Sequence, residues 1–197
     1  PVHLFGQCCA MTSLLAMAQR YRLRIVEDVA QAFGASASLP SGAPKPAGTI
    51  GDLGCFSFFP TKTLGGIGDG GMVATGQKEL AEKVRMLRTH GANSQYHHQA
   101  VGLNSRLDAI QAAVLTVKLR HVDQWCEERI ERARLYQKLF SETGLVGDRI
   151  VGLPLASGGR NHVFNCYVVR VKQRDDLRQR LRQQGIHTEV YYPLPMH

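Results

Sequence analysis

The stretch that decides the fold is Gly51-Asp-Leu-Gly-Cys-Phe-Ser-Phe-Phe-Pro-Thr-Lys62-Thr-Leu-Gly-Gly-Ile-Gly-Asp-Gly-Gly71. Its apolar run at 55–59 predicts a strand, and Pro60 ends that strand because proline has no N–H to donate. Five of the seven residues at 65–71 are glycine, which adopts backbone angles that other residues resist. We therefore expect a tightly shaped loop to present Lys62, whose amine can attack carbonyl groups. The alternative is an ordinary surface lysine.

The residues before this stretch predict a β-α-β unit. Apolar residues at helical spacing predict a helix over 11–21, and apolar runs on either side of it, 2–5 and 23–27, predict strands. Such a unit implies a parallel sheet, whose carboxyl strand ends commonly bind ligands. Asp28 follows one of these ends, where a carboxylate needs a cation or hydrogen-bond donors. A helix cap before residues 29–32 is an equally good interpretation of Asp28.

The residues after the glycines complete an α/β chain. Strands are predicted at 70–75, 163–171 and 186–192, helices at 78–89, 107–136 (one long helix or two abutting ones) and 175–184, and loops at 36–50 and 90–104. We divide the chain into part of a large domain at 1–118, a linking helix at 119–143 and part of a smaller α/β domain at 144–197. The sequence begins at Pro1 and ends at His197, and both ends suggest a piece of a longer protein.

Composition limits the function classes. The 197 residues are 44% hydrophobic, with 24 Lys and Arg against 16 Asp and Glu, so the net charge is +8 and an anionic partner is expected. Nucleic acid and a phosphorylated small molecule are both candidates, although no zinc-finger spacing or basic block occurs and solvated helix faces explain most of the positive charge. Five cysteines without a CxxC pair argue against a disulfide framework and a metal site, and for a reducing, cytoplasmic location. No apolar run is long enough to cross a membrane.

Four motifs in this order resemble the DegT/StrS family of pyridoxal-phosphate sugar aminotransferases. They are Glu27-Asp-Val-Ala-Gln-Ala-Phe-Gly34, Phe56-Ser-Phe-Phe-Pro-Thr-Lys62, Gly68-Asp-Gly-Gly71 and Gly102-Leu-Asn-Ser-Arg-Leu-Asp108. The ending at 185–197 is similar to the small domain of the same family. The resemblance implies fold type I, the aspartate aminotransferase-like α/β fold, with 1–118 belonging to the cofactor-binding large domain. It also implies that the family's large domain begins before Pro1.

The resemblance also implies roles for matching residues. Lys62 matches the lysine that bonds to the cofactor's aldehyde carbon, and Asp28 the carboxylate that keeps the pyridine nitrogen protonated. Gln31 matches a residue near the cofactor ring, and Ser57 a hydroxyl donor to its phosphate. Asn104 matches a residue that reaches the phosphate in the neighbouring subunit of a homodimer. Weaker matches to substrate-contacting positions are Arg106, Tyr191 and His197.

The implied reaction moves an amino group, usually from glutamate, onto a nucleotide-linked keto-sugar, with the amine of Lys62 as general base and acid. Members that deoxygenate sugars carry histidine at this lysine, so Lys62 favours amination. Members that act on a cyclitol or form an aminobenzoate remain alternatives. A basic, non-catalytic nucleic-acid-binding module is a further alternative, in which the glycines serve packing only.

Overall fold

The computed structural model describes residues 1–40, 42–94, 96–146, 150–156 and 160–194. In this part of the chain a 3-10 turn at Leu4–Gly6 precedes five α-helices and nine short strands. The helices are α1 (Met11–Tyr21), α2 (Lys78–Leu87), α3 (Ala109–Leu119), α4 (Val122–Glu142) and α5 (Arg174–Gln183). The strands are β1 (Val26–Asp28), β2 (Ser36–Ala37), β3 (Lys45–Pro46), β4 (Leu53–Ser57), β5 (Gly71–Ala74), β6 (Ala92–Ser94), β7 (His97–His98), β8 (Val151–Gly152) and β9 (Arg170–Val171).

A three-stranded mixed sheet in the order β1-β4-β5 organises the first half of the chain. Strands β1 and β4 run parallel, with Asp28 opposite Cys55, while β5 returns antiparallel to β4. Val2 forms a parallel bridge to Asp28, so the predicted β-α-β unit is present with its first strand reduced to one bridge. The predicted helix over 11–21 is confirmed at both ends, and the returning strand at 70–75 is confirmed as β5.

Several predicted elements are wrong in extent or type. The strand expected at 55–59 lies at 53–57, and the expected loops at 36–50 and 90–104 each contain a hairpin, β2–β3 and β6–β7. The helical pattern over 107–136 is two helices, α3 and α4.

The second half of the chain has less strand than its sequence predicts. Of the strand predicted at 163–171, only Arg170–Val171 forms a strand, β9. The strand predicted at 186–192 is absent, since none of these residues, all of them described, is in a strand. The alternation expected at 163–171 fails because consecutive Val163 and Phe164 are both buried, and Phe164 has φ +49°.

The core lies between α1, the sheet, α3 and the first turns of α4. Its buried members are Cys8, Met11, Ala18, Ile25, Val29, Ala32, Ala35, Ala37, Ala47, Phe58, Leu64, Leu115, Val122, Cys126 and Val163. Leu64 comes from the loop after Lys62, and Leu115 comes from α3, so the core joins that loop to α3. Burial of the Val, Leu, Ile, Phe and Met side chains among them stabilises the fold by about 1.5–3 kcal/mol each.

The chain divides into two compact units. The first contains Pro1–Arg134 and Leu155–Tyr167, and the second contains Leu135–Pro154 and Val168–His197. The first unit holds the three-stranded sheet and α1 to α3. Within the second, β8 pairs with β9, and Arg178 of α5 forms an ion pair of 2.7 Å with Glu189. The domain boundaries at 118 and 143 stay a prediction.

Among the residues described, no helix is both long and apolar enough to cross a membrane.

Candidate active site

One face of the β1–β4 pair collects the polar groups predicted to bind a ligand. Asp28 lies opposite Cys55 in the parallel register, and Ser57 is two residues further along β4. Side chains two residues apart on a strand share a face, so all three groups lie on the same side of the sheet. The strand's burial pattern agrees, since Val26 and Asp28 are exposed while Glu27 between them is fully buried.

These residues line an open pocket of about 420 Å³. Its lining is Val26, Glu27, Asp28, Ala30, Cys55, Phe56 and Ser57. Asp28 Oδ1 accepts a hydrogen bond of 3.0 Å from the N–H of Ala30, which fixes the carboxylate over the turn after β1. The interpretation of Asp28 as a helix cap is wrong, because residues 29–32 form a turn and not a helix. Asp28 and Ser57 are therefore the two predicted site residues that one pocket brings together.

Lys62 lies in the turn directly after β4. Its N–H donates to the carbonyl of Phe59 at 2.9 Å, and the N–H of Phe59 donates to Ser57 Oγ at 3.3 Å. The Lys62 side chain is half-buried, and within the described residues its amine has no hydrogen-bond or ion-pair partner. Lys62 is thus joined to Ser57 through a short chain of hydrogen bonds, although it does not line the pocket. Its amine is free to react with a ligand.

The glycines after Lys62 allow neighbouring atoms to approach the loop backbone closely, and they do not adopt unusual backbone angles. All five at 65–71 lie within the described residues, and none has a φ in the left-handed region. A Cβ on Gly65 would lie 2.5 Å from the carbonyl oxygen of Pro60 and 2.8 Å from that of Phe59. The prediction of a tightly shaped loop is confirmed, but the physical reason given for it is wrong.

A buried network beneath Asp28 was not predicted. Glu27 and His3 are both fully buried, and His3 Nε2 lies 2.9 Å from Glu27 Oε2. The N–H of Cys9 donates to His3 Nδ1 at 3.0 Å, so the ring proton sits on Nε2 and points at the carboxylate. The sequence signal was the pair of adjacent acids at the end of an apolar strand, which showed that partners were needed but not which residues they were.

The same carboxylate also fixes the backbone of residues 48–51. Glu27 Oε2 accepts from the N–H of Gly48 at 2.9 Å, and Oε1 accepts from those of Ile50 and Gly51 at 2.7 and 2.6 Å. Burial by itself would raise the pKa of Glu27, but the hydrogen bonds from His3 and these three N–H groups hold it below its ordinary value. Glu27 therefore anchors the strand that carries Asp28 to the backbone of residues 48–51.

Asn104 and Arg106 lie together on an exposed segment next to α2. Arg106 Nε donates to Asn104 Oδ1 at 2.8 Å, and Asn104 forms an isolated bridge with Thr89. The apolar neighbours Val101 and Leu103 are 98% and 72% exposed. This segment is anchored to the fold by its backbone, while its side chains face outward.

The other predicted residues are not brought into this pocket. Gln31 is 9% exposed, and its Oε1 accepts from the N–H of Phe5 at 2.7 Å, so it tethers the N-terminal segment. Tyr191 belongs to the second unit and is 56% exposed. His197 lies outside the described residues.

The family model of the DegT/DnrJ/EryC1/StrS aminotransferases matches residues 1–197. The chain belongs to this family. A relative named pleiotropic regulatory protein, from Geobacillus stearothermophilus, is 48% identical over all of this chain and 51% of its own length. The dTDP-3-amino-3,4,6-trideoxy-alpha-D-glucose transaminase of Streptomyces venezuelae is 43% identical over all of this chain and 49% of its own length. This family member thus spans about half the length of the curated relatives it matches.

Solved structures of the family have the same fold. The crystal structure of a DegT/DnrJ/EryC1/StrS aminotransferase from Brucella abortus superposes with a TM-score of 0.89 at 35% identity, covering 100% of this chain and 50% of that one. NtdA from Bacillus subtilis, solved with bound cofactor PMP, gives a TM-score of 0.85 at 30% identity, covering 98% of this chain and 43% of that one. The predicted α/β fold of type I is confirmed.

Proposed function

We propose that this DegT/StrS family member is a pyridoxal-phosphate-dependent aminotransferase that transfers an amino group from glutamate to a nucleotide-linked keto-sugar. The observation that carries the proposal is the pocket in which Asp28 and Ser57 share one sheet face, beside the turn of Lys62. The similarity to the dTDP-3-amino-3,4,6-trideoxy-alpha-D-glucose transaminase of Streptomyces venezuelae supports the same activity.

The donor set fits pyridoxal phosphate. The free amine of Lys62 suits the aldehyde, the Asp28 carboxylate can accept a hydrogen bond from a protonated ring nitrogen, and the Ser57 hydroxyl can donate to a phosphate oxygen. When bound, the cofactor would supply an electron sink for the carbanion formed at the substrate carbon. The bound PMP of NtdA supports the same cofactor for this chain.

Lys62 would move the proton in both half-reactions. In the first half-reaction its amine would take a proton from the donor carbon as a base and deliver it to the reactive carbon of the cofactor as an acid, and in the second half-reaction it would carry a proton in the opposite direction. The Asp28 carboxylate would accept the hydrogen bond from the ring nitrogen, and the Ala30 N–H that binds its Oδ1 holds the carboxylate in place. The hydrogen-bonded turn from Ser57 to Lys62 keeps the backbone fixed while the lysine side chain swings.

We further propose a homodimer in which Asn104 reaches the cofactor phosphate of the partner subunit. The exposed apolar side chains of Val101 and Leu103 lie just before Asn104 in the chain, and a partner subunit would cover them. In the same proposal Gln31 approaches the cofactor ring, with Arg106, Tyr191 and His197 contacting the substrate. The five free cysteines support a cytoplasmic location.

The first test uses the full-length protein with pyridoxal phosphate. We expect a visible absorption band that glutamate bleaches, and borohydride reduction should fix the cofactor on Lys62, located by peptide mass mapping. Lys62→Ala should lose the band and the activity, whereas the exposed Lys78→Ala should keep both. A label on another lysine, or no band together with steeply salt-dependent DNA binding, would favour the non-catalytic interpretation.

The second test asks whether Asn104 acts across the dimer. Lys62→Ala and Asn104→Ala subunits, each inactive alone, are dissociated, mixed and reassembled. Because half of the random dimers are hybrids with one intact site each, about a quarter of the wild-type activity should return. If Asn104 serves its own subunit's site, no hybrid contains an intact site and the mixture stays inactive.

A further inference from the structure

We propose that Gln111 and Lys118 of α3 are positioning residues for Lys62, an inference that rests on the function proposed above. Neither residue belongs to the four motifs, and they lie 44 and 53 residues from the loop atoms they contact. Both side chains are half-buried against the loop that follows Lys62.

The two side chains bind the loop from one face of the helix. Gln111 Oε1 accepts a hydrogen bond of 2.9 Å from the N–H of Ile67, and Lys118 Nζ donates to the carbonyl of Gly65. Seven residues are about two helical turns, so Gln111 and Lys118 lie on the same face of α3, about 10 Å apart along the axis. Leu115 lies between them on this face and packs into the core cluster that contains Leu64.

The glycines of the loop fit this arrangement. A Cβ on Gly66 would lie 2.5 Å from Gln111 Oε1, and one on Gly68 would lie 2.6 Å from Gln111 Nε2. Residues with side chains at these two positions would therefore push Gln111 out of its place. The absence of a Cβ at both positions leaves room for the Gln111 amide in its observed place.

Contacts between the loop and residues 58–60 connect these two hydrogen bonds to the turn that carries Lys62. Gly65 lies directly against the carbonyls of Phe59 and Pro60, and the N–H of Gly66 donates to the carbonyl of Phe58 at 2.7 Å. The carbonyl of Phe59 is also the acceptor for the N–H of Lys62. Gln111 and Lys118 thus fix the loop, the loop fixes residues 58–60, and these fix the backbone from which the Lys62 amine reaches a ligand.

The wild-type protein provides the first test, by hydrogen exchange of the full-length protein without cofactor. The side chain of Ile67 is 67% exposed, yet we expect its N–H to exchange at least about tenfold more slowly than an unprotected amide, because Gln111 holds it. Free exchange at Ile67 would overturn the proposal without any variant.

Variants of Gln111 distinguish the effect of its hydrogen-bond acceptor from the effect of its side-chain shape. Gln111→Met keeps the length but loses the acceptor, so exchange at Ile67 should rise about tenfold, whereas Gln111→Glu keeps an acceptor oxygen and should retain the protection. Lys118→Met should speed exchange across 64–68 by about tenfold or more, and Lys78→Met on α2 is the matched control. Equal exchange in all variants would overturn the proposal.

Kinetics then show whether the restraint serves Lys62. In the loaded enzyme, Gln111→Met and Lys118→Met should lower kcat for the glutamate half-reaction at least about fivefold, with KM nearly unchanged, because substrate binding is intact and the amine is misplaced. Faster exchange with unchanged kcat would overturn the positioning role. If borohydride reduction fixes no cofactor on wild-type Lys62, the proposed function is refuted instead. The hydrogen-exchange results do not depend on that outcome.

Discussion

Replacing Glu27 by glutamine tests the buried network beneath the pocket. The glutamine has the same length, and its single oxygen can still accept from the N–H groups of Ile50 and Gly51. Its NH₂ group, however, would face the N–H of Gly48 and the Nε2–H of His3, which are both donors. His3 cannot relieve the conflict by moving its proton to Nδ1, because Nδ1 accepts from the N–H of Cys9.

The expected loss follows from the two hydrogen bonds that disappear. A hydrogen bond to a charged group contributes about 1.5–3 kcal/mol. Because two such bonds are lost, we expect the local free energy of opening to fall by about 3–6 kcal/mol. Since about 1.4 kcal/mol is a factor of ten, the N–H of Gly48 should exchange with solvent roughly 10²- to 10⁴-fold faster. Hydrogen exchange of the full-length protein measures this directly.

Glu82→Gln is the matched control. Glu82 is exposed and lies 3.8 Å from Lys78 Nζ, so its replacement should change stability by less than about 1 kcal/mol. If the amides of residues 48–51 exchange at the same rate in Glu27→Gln as in Glu82→Gln, the Glu27 carboxylate does not hold that backbone. The role of its four hydrogen bonds is then refuted.

Three further predictions follow from the structure. The pKa of Glu27 is lower in the folded state than in the unfolded chain, where it is near about 4.3. The stability that the Glu27 carboxylate gives to the fold should therefore be complete above that unfolded value and be lost as the pH falls through the folded pKa. Hydrogen exchange at Gly48, followed as the pH is lowered, would show this loss. Gly54→Ala should prevent the fold or destabilise it by more than about 3 kcal/mol, because its Cβ would collide with the Gly48 backbone, whereas Gly76→Ala meets open space and should be neutral in a urea titration. Burial, with the charges of Glu27 and Cys9, raises the pKa of Cys8 to about 12, so this thiol should resist iodoacetamide at pH 8 in the folded protein and react in urea.

Local patterns predicted the elements whose signal is contained in a few neighbouring residues. The spacing of apolar residues gave α1 at its observed bounds, and the apolar run with Pro60 gave β4 to within two residues. The sequence also placed Asp28 at the carboxyl end of a strand, where the structure has it. The roles of Asp28 and Ser57 stay predictions. Fold type and family could thus be predicted from ordered motifs alone.

Contacts between distant residues could not be predicted in this way. The partner of Glu27 is His3, 24 residues earlier, and nothing near His3 marks it as a buried donor. Gln31 Oε1 accepts from the N–H of Phe5, 26 residues earlier, and no neighbouring residues indicate this contact. Both pairings depend on how the N-terminal segment returns to the sheet, which a pattern of neighbouring residues does not specify.

The glycine-rich segment shows how a correct prediction can have a different cause. Glycine can be needed for a left-handed φ or for room where a Cβ would stand, and sequence alone does not separate the two. Here the second cause applies, since Gly65 meets the carbonyl of Pro60, and Gly66 and Gly68 meet the amide of Gln111. The loop is therefore shaped by what packs against it, so that changes on α3 should reach the reactive lysine although α3 itself contributes no predicted cofactor contact.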